Sequence, residues 1–317
     1  MGEIAVVERI RRLLPPPPAG QVWVGDDAAV LAPSAGPLLL ATDAVVAGVH
    51  ADLSWCGVDD LGWKALAVTV SDIGSMGGRP RDVVVSVVAP VGSDIDLLMS
   101  GVAASAATHG CQVVGGDLSG GSQLVVTAAA TGILEGSAPG SSPDGAVLRS
   151  GASPGDYLMV TGPLGASAAG LRLLSAAATA EIPIPTAEES YRLMAAHRRP
   201  VARIAQGILA RQAGVRAMLD LSDGLVIDAR RLATASQVGM HLSGIPVMQG
   251  ATPLEAISGG EDYELLMATA DPDALSAAIS TAGLPTPYLI GRCTDRVGEL
   301  LLDDLELPTG GWEHRFD

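Results

Sequence analysis

The chain has 317 residues, of which 48% are hydrophobic and only 3% aromatic, and a formal net charge of −16 from 19 Lys+Arg against 35 Asp+Glu. That length can bury a sizeable core and favours two domains, whereas the acidic excess argues against nucleic acid or anionic lipid as a partner, since both are bound largely through positive charge. Mean hydropathy is +0.36, yet the longest apolar runs, at 83–91 and 124–134, are interrupted by Ser, Thr, Pro or Gly and fall short of the ~20 apolar residues that span a bilayer.

In chain order, residues 1–14 place Ile4, Val7, Ile10, Leu13 and Leu14 at the spacing of a short amphipathic helix, stopped by the prolines at 15–18. A secretory signal begins basic and runs continuously apolar, so the expected location is the cytoplasm. Residues 21–24 and 38–42 read as strands and 59–76 as a helix. Residues 83–88 and 124–131 read as β-branched strands, with a helix over 94–109 between them. Residues 135–156, dense in Gly, Ser and Pro, form an exposed connection. Beyond it come a strand at 157–161, a turn at 162–165, helices at 167–178, 200–213 and 225–236, and short strands at 264–268 and 288–291. This is an α/β pattern in two domains, 1–137 and 150–317, with a linker at about 138–149. Cys56, Cys111 and Cys293 form no CxxC pair, so neither a disulfide framework nor a cysteine-based zinc site is indicated.

The acids carry the chemical signal. Asp26-Asp27 follow a strand on a tight turn, where two adjacent carboxylates repel by roughly 4 kcal/mol at an effective dielectric of 20; the pair reads either as a turn or as a ligand. Thr42-Asp43 ends a strand and precedes Gly48-Val49-His50. Asp72 lies near a helix C-terminus, against the macrodipole, and so needs a cation or another task. Gly115-Gly116-Asp117 follows the apolar run 111–114, where glycines let the backbone approach a ligand and an Asp on a turn can reach a metal. Asp220-Leu221-Ser222-Asp223-Gly224 opens a helix, and Ser and Asp are ordinary caps there. Gly259-Gly260-Glu261-Asp262-Tyr263-Glu264 precedes a strand and is harder to read as capping. Acids at so many strand and helix ends suit hard divalent cations around a polyphosphate. Lys64, the only lysine, stands outside any GxxxxGK[ST] context, so there is no P-loop, and no protein-kinase signature set is present. The stretch Gly162-Pro163-Leu164-Gly165-Ala166-Ser167 reads as a structural turn rather than a phosphate cradle.

As a set, these motifs resemble the thiamine-monophosphate kinases over nearly the whole chain. The resemblance is carried by Gly-Asp-Asp-Ala-Ala at 25–29, Thr-Asp-Ala-Val-Val-Ala-Gly-Val-His at 42–50 and Trp-Lys-Ala-Leu-Ala-Val-Thr-Val-Ser-Asp-Ile-Gly-Ser-Met-Gly at 63–77. Val-Gly-Gly-Asp at 114–117, Leu-Asp-Leu-Ser-Asp-Gly-Leu at 219–225, Ser-Gly-Gly-Glu-Asp-Tyr-Glu-Leu at 258–265 and Gly-Trp-Glu-His at 311–314 complete it. The resemblance implies the two-domain fold of aminoimidazole ribonucleotide synthetase, with N-terminal domains that bind ATP and Mg²⁺ and pair into a homodimer, and an active site shared between chains. It also implies roles: Asp27, Thr42, Asp43, Asp72, Asp117, Asp220 and Asp223 on several Mg²⁺ ions, with K⁺ as a further candidate ion; Gly116, Asp117, Arg149 and Ser222 on ATP; His50, Glu261 and Trp312 on thiamine monophosphate. The substrate's own phosphate would attack in line, so no protein nucleophile is expected.

Three positions depart from the family pattern: Ala41 for a common Ser, Thr69 for a frequent Asn, and Leu118-Ser119-Gly120 for Thr-Thr-Arg. Within the fold, a selenophosphate synthetase would need a reactive Cys near the N-terminus and a hydrogenase-maturation enzyme a C-terminal Cys; the chain has Cys56 outside such a motif and ends in Asp317. The alternative of another class is a nucleotide- or thiamine-phosphate-binding regulator without turnover, for which several metals have little use.

Overall fold

The computed structural model describes residues 3–21, 23–24, 28–29, 31–34, 36–136, 145–178 and 188–313. Gly25, Asp26, Asp27, residues 138–144 of the expected linker, and His314 lie outside the described residues. The chain divides into two compact units, residues 1–73 with 79–134 and residues 74–78 with 135–317.

In the first unit α1 (Glu3–Leu13) is followed by β1 (Leu38–Val46), α2 (Val58–Ser75), β2 (Arg79–Ala89), α3 (Ile95–His109), β3 (Gln112–Gly120) and β4 (Val125–Ile133). The sheet order is β1-β4-β2-β3, with β4 antiparallel to both neighbours and β2 parallel to β3; α3 is the crossover that parallel pairing requires. Alternation along β4 buries Val126, Ala128 and Ala130, and along β1 it buries Leu39 and Val45 while leaving Leu38 and Leu40 51% and 74% exposed. One face of the sheet is therefore packed, and the other is exposed among the described residues. Helix α2 is apolar nearly all round and is buried accordingly, from Leu61 to Ile73. It meets α3 backbone to backbone. A Cβ on Gly62 would lie 2.2 Å from the Leu98 carbonyl oxygen, and one on Gly101 would lie 1.9 Å from that of Asp59.

The second unit contains β5 (Tyr157–Val160), α4 (Ala166–Ala178), α5 (Glu188–Arg198), α6 (Ile204–Gln212), β6 (Ala217–Asp220), α7 (Leu225–Ser236) and β7 (Gly239–Leu242). It continues with α8 (Pro253–Ser258), β8 (Leu265–Thr269), α9 (Pro272–Thr281), β9 (Tyr288–Thr294), β10 (Leu300–Leu302) and β11 (Leu305–Glu306). Its sheet runs β11-β10-β7-β9-β5-β8-β6. Successive residues of the central strands serve two cores. Leu158, Leu219 and Leu266 pack with α7 on one face, and Met159, Met218 and Met267 pack with α6 and α9 on the other. Burial on both faces explains why these strands read as unbroken apolar runs.

Among the described residues of 21–24, where a strand is expected, only Val24 makes a β-bridge. The segment follows a turn in which the Gln21 N–H donates to the Pro18 carbonyl at 3.1 Å. The helix expected over 200–213 starts later, at Ile204, after Arg203, which has the non-helical backbone of an N-cap.

Arg211, 1% exposed, holds the second unit's backbone together. Its guanidinium donates to the carbonyls of Gly77 (3.1 Å), Gly136 and Gly145 (both 3.3 Å), and also to that of Glu135. Arg211→Ala should cost about 3 kcal/mol or more, because the buried Gly77 carbonyl and three part-buried ones lose their donor. Arg211→Lys should recover only part, an ammonium lacking the planar fork. Urea midpoints of the three proteins check this, and a loss below about 1 kcal/mol for the Ala variant would refute the bracing role.

Candidate active site

The second unit gathers five of the expected residues at one end of its sheet. Strand β6 ends at Asp220, and past it the backbone pairs with the loop preceding β8. The Leu221 N–H donates to the Glu264 carbonyl (2.8 Å), Tyr263 to Leu221 (2.9 Å) and Glu261 to Ser222 (2.7 Å), and from the C-terminal segment Trp312 donates to Asp223 (2.9 Å). Asp220, Ser222, Asp223, Glu261 and Trp312 are thus neighbours by main-chain hydrogen bonds. Glu261 and Tyr263 hold φ of 66° and 51°, a region non-glycine residues seldom occupy outside constrained or functional loops. Arg149 follows Leu148, which bridges Ala217 at the start of β6, and its carbonyl accepts from the Ser236 hydroxyl at 3.0 Å.

The capping reading of Ser222 and Asp223 fails: the N-cap of α7 is Gly224, at φ 104°, with no side-chain cap bond. Asp228, one turn into α7, instead accepts the Asp223 N–H at 3.0 Å, and Arg231 contacts both Asp223 and Asp228, the latter at 2.8 Å. Burial pushes the Asp228 carboxyl up to about 6, against the Asp223 N–H that lowers it. The turn at 162–167 holds a carboxylate of its own chain, Asp262, which accepts from the Gly165 N–H (2.6 Å) and the Ser167 N–H (3.1 Å) at the start of α4. The structural reading of that turn stands.

In the first unit the Thr42 hydroxyl donates to the Ala128 carbonyl at 2.9 Å. Asp43 is half-buried in mid-strand β1. His50 accepts the Val46 N–H on Nδ1 (3.0 Å), which leaves its hydrogen on Nε2, and its carbonyl accepts from Lys64 Nζ (2.9 Å). Asp72 lies in the last turn of α2. Gly115, Gly116 and Asp117 lie within β3 rather than on the expected turn, the ladder with β2 continuing past them to Gly120. Beside them opens a cavity of about 450 Å³ lined by Val7, Ile10, Trp23, Val85, Met99 and Asp117 among others. Asp43, Ala128, Val85 and Gly116 form one row across the sheet. Three interstrand spacings of about 4.8 Å put Asp43 and the Gly116-Asp117 pair about 14 Å apart, too far for one ion to take both carboxylates directly. Thr69, the unusual helix residue, donates its hydroxyl to the Ala65 carbonyl at 2.9 Å.

Among the described residues no three His, Cys, Asp or Glu side chains form a ready-made metal cage. The donor set still fits Mg²⁺, which binds through one or two carboxylates with waters and substrate phosphates rather than through an all-protein cage; Asp220 and Asp223, three residues apart at a strand end, offer only oxygen. Sequence reasoning passed over Lys64, His197, Arg203, Asp228 and Arg231. Only Lys64 had a signal, as the chain's single lysine set in an apolar helix; it is 1% exposed.

Two family models match: AIR synthase related protein, N-terminal domain, over residues 25–134, and AIR synthase related protein, C-terminal domain, over 153–303. A thiamine-monophosphate kinase of Mycobacterium tuberculosis is 34% identical, the alignment covering 99% of this chain and 91% of the relative. The chain belongs to the thiamine-monophosphate kinase family. The crystal structure of thiamine-monophosphate kinase from Stenotrophomonas maltophilia K279a matches with TM-score 0.80 at 29% identity, covering 96% of this chain and 98% of that one. AaThiL complexed with AMPPCP and TMP matches with TM-score 0.76 at 28% identity, covering 99% and 97%. The two-domain AIR synthase-like fold of the thiamine-monophosphate kinases is therefore the fold of this chain.

Asp262 yields a pH test. Burial raises its carboxyl from 3.8 to about 6, only partly offset by the N–H groups of Gly165 and Ser167. The folded state then holds a proton that the unfolded chain has lost, so this group's contribution is largest below pH 4, declines as pH rises to about 6 and is level above. Asp262→Asn should gain stability relative to the parent between pH 4.5 and pH 7. A pH-independent difference in urea midpoints would refute this.

Proposed function

We propose that this chain transfers the γ-phosphoryl group of ATP to the phosphate of thiamine monophosphate, giving thiamine diphosphate and ADP. The observation that carries the reading is the convergence of Asp220, Ser222, Asp223, Glu261 and Trp312 in a chain matched over 99% of its length by a thiamine-monophosphate kinase. A phosphate oxygen of the acceptor bonds to the γ-phosphorus while the bond to the β,γ-bridging oxygen breaks, its electron pair leaving on ADP. The acceptor supplies its own nucleophile, so the side chains need only orient two anions and lower their repulsion.

In the first unit Asp27, Thr42, Asp43, Asp72 and Asp117, and in the second Asp220 and Asp223, are the proposed holders of Mg²⁺, with K⁺ as a candidate further ion. Bound Mg²⁺ would neutralise charge on the phosphates. Gly116, Asp117, Arg149 and Ser222 are assigned to ATP; the cavity beside Gly116 and Asp117 supports the first two. His50 offers an Nε2–H donor, Glu261 a carboxylate suited to the substrate's thiazolium cation and amino group, and Trp312, 50% exposed, a ring face. Residues 1–137 are read as the ATP/Mg²⁺-binding and dimerisation domain and 150–317 as the C-terminal α/β domain, joined at 138–149. A homodimer is supported by the exposed sheet face that carries Leu38, Leu40 and Val84, since apolar faces of that kind mark association surfaces. Cytoplasmic location is the matching expectation; among the described residues no helix is long and apolar enough to cross a membrane.

Incubation of the purified chain with ATP, Mg²⁺ and thiamine monophosphate should form thiamine diphosphate and ADP in equal amounts, and EDTA should abolish it. Binding of both ligands without turnover would favour the regulator instead. Asp72→Asn should lower kcat by about 100-fold, the scale of a lost electrostatic contact in phosphoryl or acyl transfer, with little change in thiamine-monophosphate affinity. Equal, small losses in both would remove Asp72 from the machinery.

A further inference from the structure

Residues 197–203, His-Arg-Arg-Pro-Val-Ala-Arg, join α5 to α6 and take no part in the reaction as drawn, yet they grip the Glu261 loop at two points. At its far end Glu264, 4% exposed, accepts from Arg203 Nε at 2.9 Å and Nη2 at 2.5 Å and from the Thr161 hydroxyl at 2.5 Å. In its middle Asp262 caps the start of α4. Both carboxylates are spent on the protein. The Glu261 side chain keeps 23% exposure, and beside it stands His197, whose Nδ1 lies 3.4 Å from Glu261 Oε2 and 3.1 Å from the Ser167 hydroxyl. His197 is 4% exposed, carried by α5, and close enough to engage one carboxylate oxygen of Glu261.

We propose that His197 is a positioning residue for Glu261, holding its carboxylate toward the thiamine portion of the substrate. The inference rests on the assignment of Glu261 to thiamine monophosphate made above. A carboxylate oxygen only accepts, so Nδ1 carries its hydrogen when it faces Glu261. A Glu side chain loses up to about 2 kcal/mol of rotamer freedom when it is fixed, and a partner that fixes it before substrate arrives removes that cost from binding. Glu261 acts on the part of the substrate remote from the transferred phosphoryl group. Its placement should therefore appear in KM for thiamine monophosphate rather than in kcat.

Steady-state kinetics on the full chain test this, with ATP and thiamine monophosphate varied separately. His197→Ala should raise KM for thiamine monophosphate about tenfold, the scale of one hydrogen bond to a charged group, with kcat and KM for ATP within about twofold of the parent. His197→Asn, whose amide reaches the Nδ1 position, should restore most of the loss; His197→Gln, which reaches the Nε2 position, should not. Glu261→Gln should raise the same KM, and adding His197→Ala to it should change nothing more. Additive effects, a parallel rise in both KM values, or no change in His197→Ala would overturn the proposal and leave His197 a core residue satisfied by Ser167. A Glu261→Gln enzyme with normal KM would instead remove the Glu261 assignment, and the two failures are told apart by that single variant. If His197→Ala does not fold, the Asn and Gln pair decides.

Discussion

The arrangement rests on one continuation of main-chain pairing. β6 and β8 are antiparallel neighbours, with Asp220 opposite Leu265. The strands end there but the hydrogen bonds do not: Leu221 to Glu264, Tyr263 to Leu221 and Glu261 to Ser222 carry the ladder out into two loops. Backbone amides have fixed spacing and no rotamers, so the side chains of Asp220, Ser222, Asp223 and Glu261 inherit the precision of the sheet. The left-handed φ values of Glu261 and Tyr263 are what allow a loop to follow a ladder it can no longer match in register. Trp312 joins through the same device, its N–H on the Asp223 carbonyl.

The charge balance around that end distinguishes its acids by how deeply each is enclosed. With 35 Asp+Glu against 19 Lys+Arg, cationic partners are scarce, and where they are placed is informative. Glu264 receives Arg203 and Thr161, Asp262 receives two amides of α4, and Asp228 receives the Asp223 amide and Arg231. Each is nearly buried and has several donors, the condition under which a buried carboxylate is tolerated. Asp223 is less enclosed and shares Arg231 with Asp228; Glu261 retains exposure on one side. Burial and donor number together sort five neighbouring acids in a way that residue type alone does not.

Periodicity and motif order made much of this legible in the sequence. α2, α3, α4 and α7 fall within two residues of the spans expected for them, because their apolar spacing and caps are local properties; Asp94 caps α3 through the Leu97 amide as its position suggests. The four-residue strands β6 and β7, and the helices α5, α8 and α9, were not legible. A four-residue strand such as β6, buried at every position, has no alternation to read, and α5 is a polar helix whose only buried residues are Leu193, Met194 and His197. The same limit hid the support of the site. Asp220, Ser222 and Glu261 stand in motifs with recognisable order, but His197 touches Glu261 across 64 positions of chain, and no local pattern announces such a contact. The Gly115-Gly116-Asp117 stretch misled for the opposite reason: glycines that suggest a turn here let β3 lie against β2, where a Cβ on Gly116 would be 2.0 Å from the Val85 carbonyl oxygen.

The first unit presents a constraint the second does not. Among the described residues its sheet is packed on one side only, and Asp43 and Asp117 lie on its two edge strands, β1 and β3. With three interstrand spacings, about 14 Å, between those strands, one ion cannot take both carboxylates directly. The same sheet has an exposed face. Leu38, Leu40 and Val84 project from it at 51%, 74% and 42% exposure, a pattern that antiparallel sheets facing water replace with polar residues. The homodimer proposed above, formed through that face, would bury those side chains.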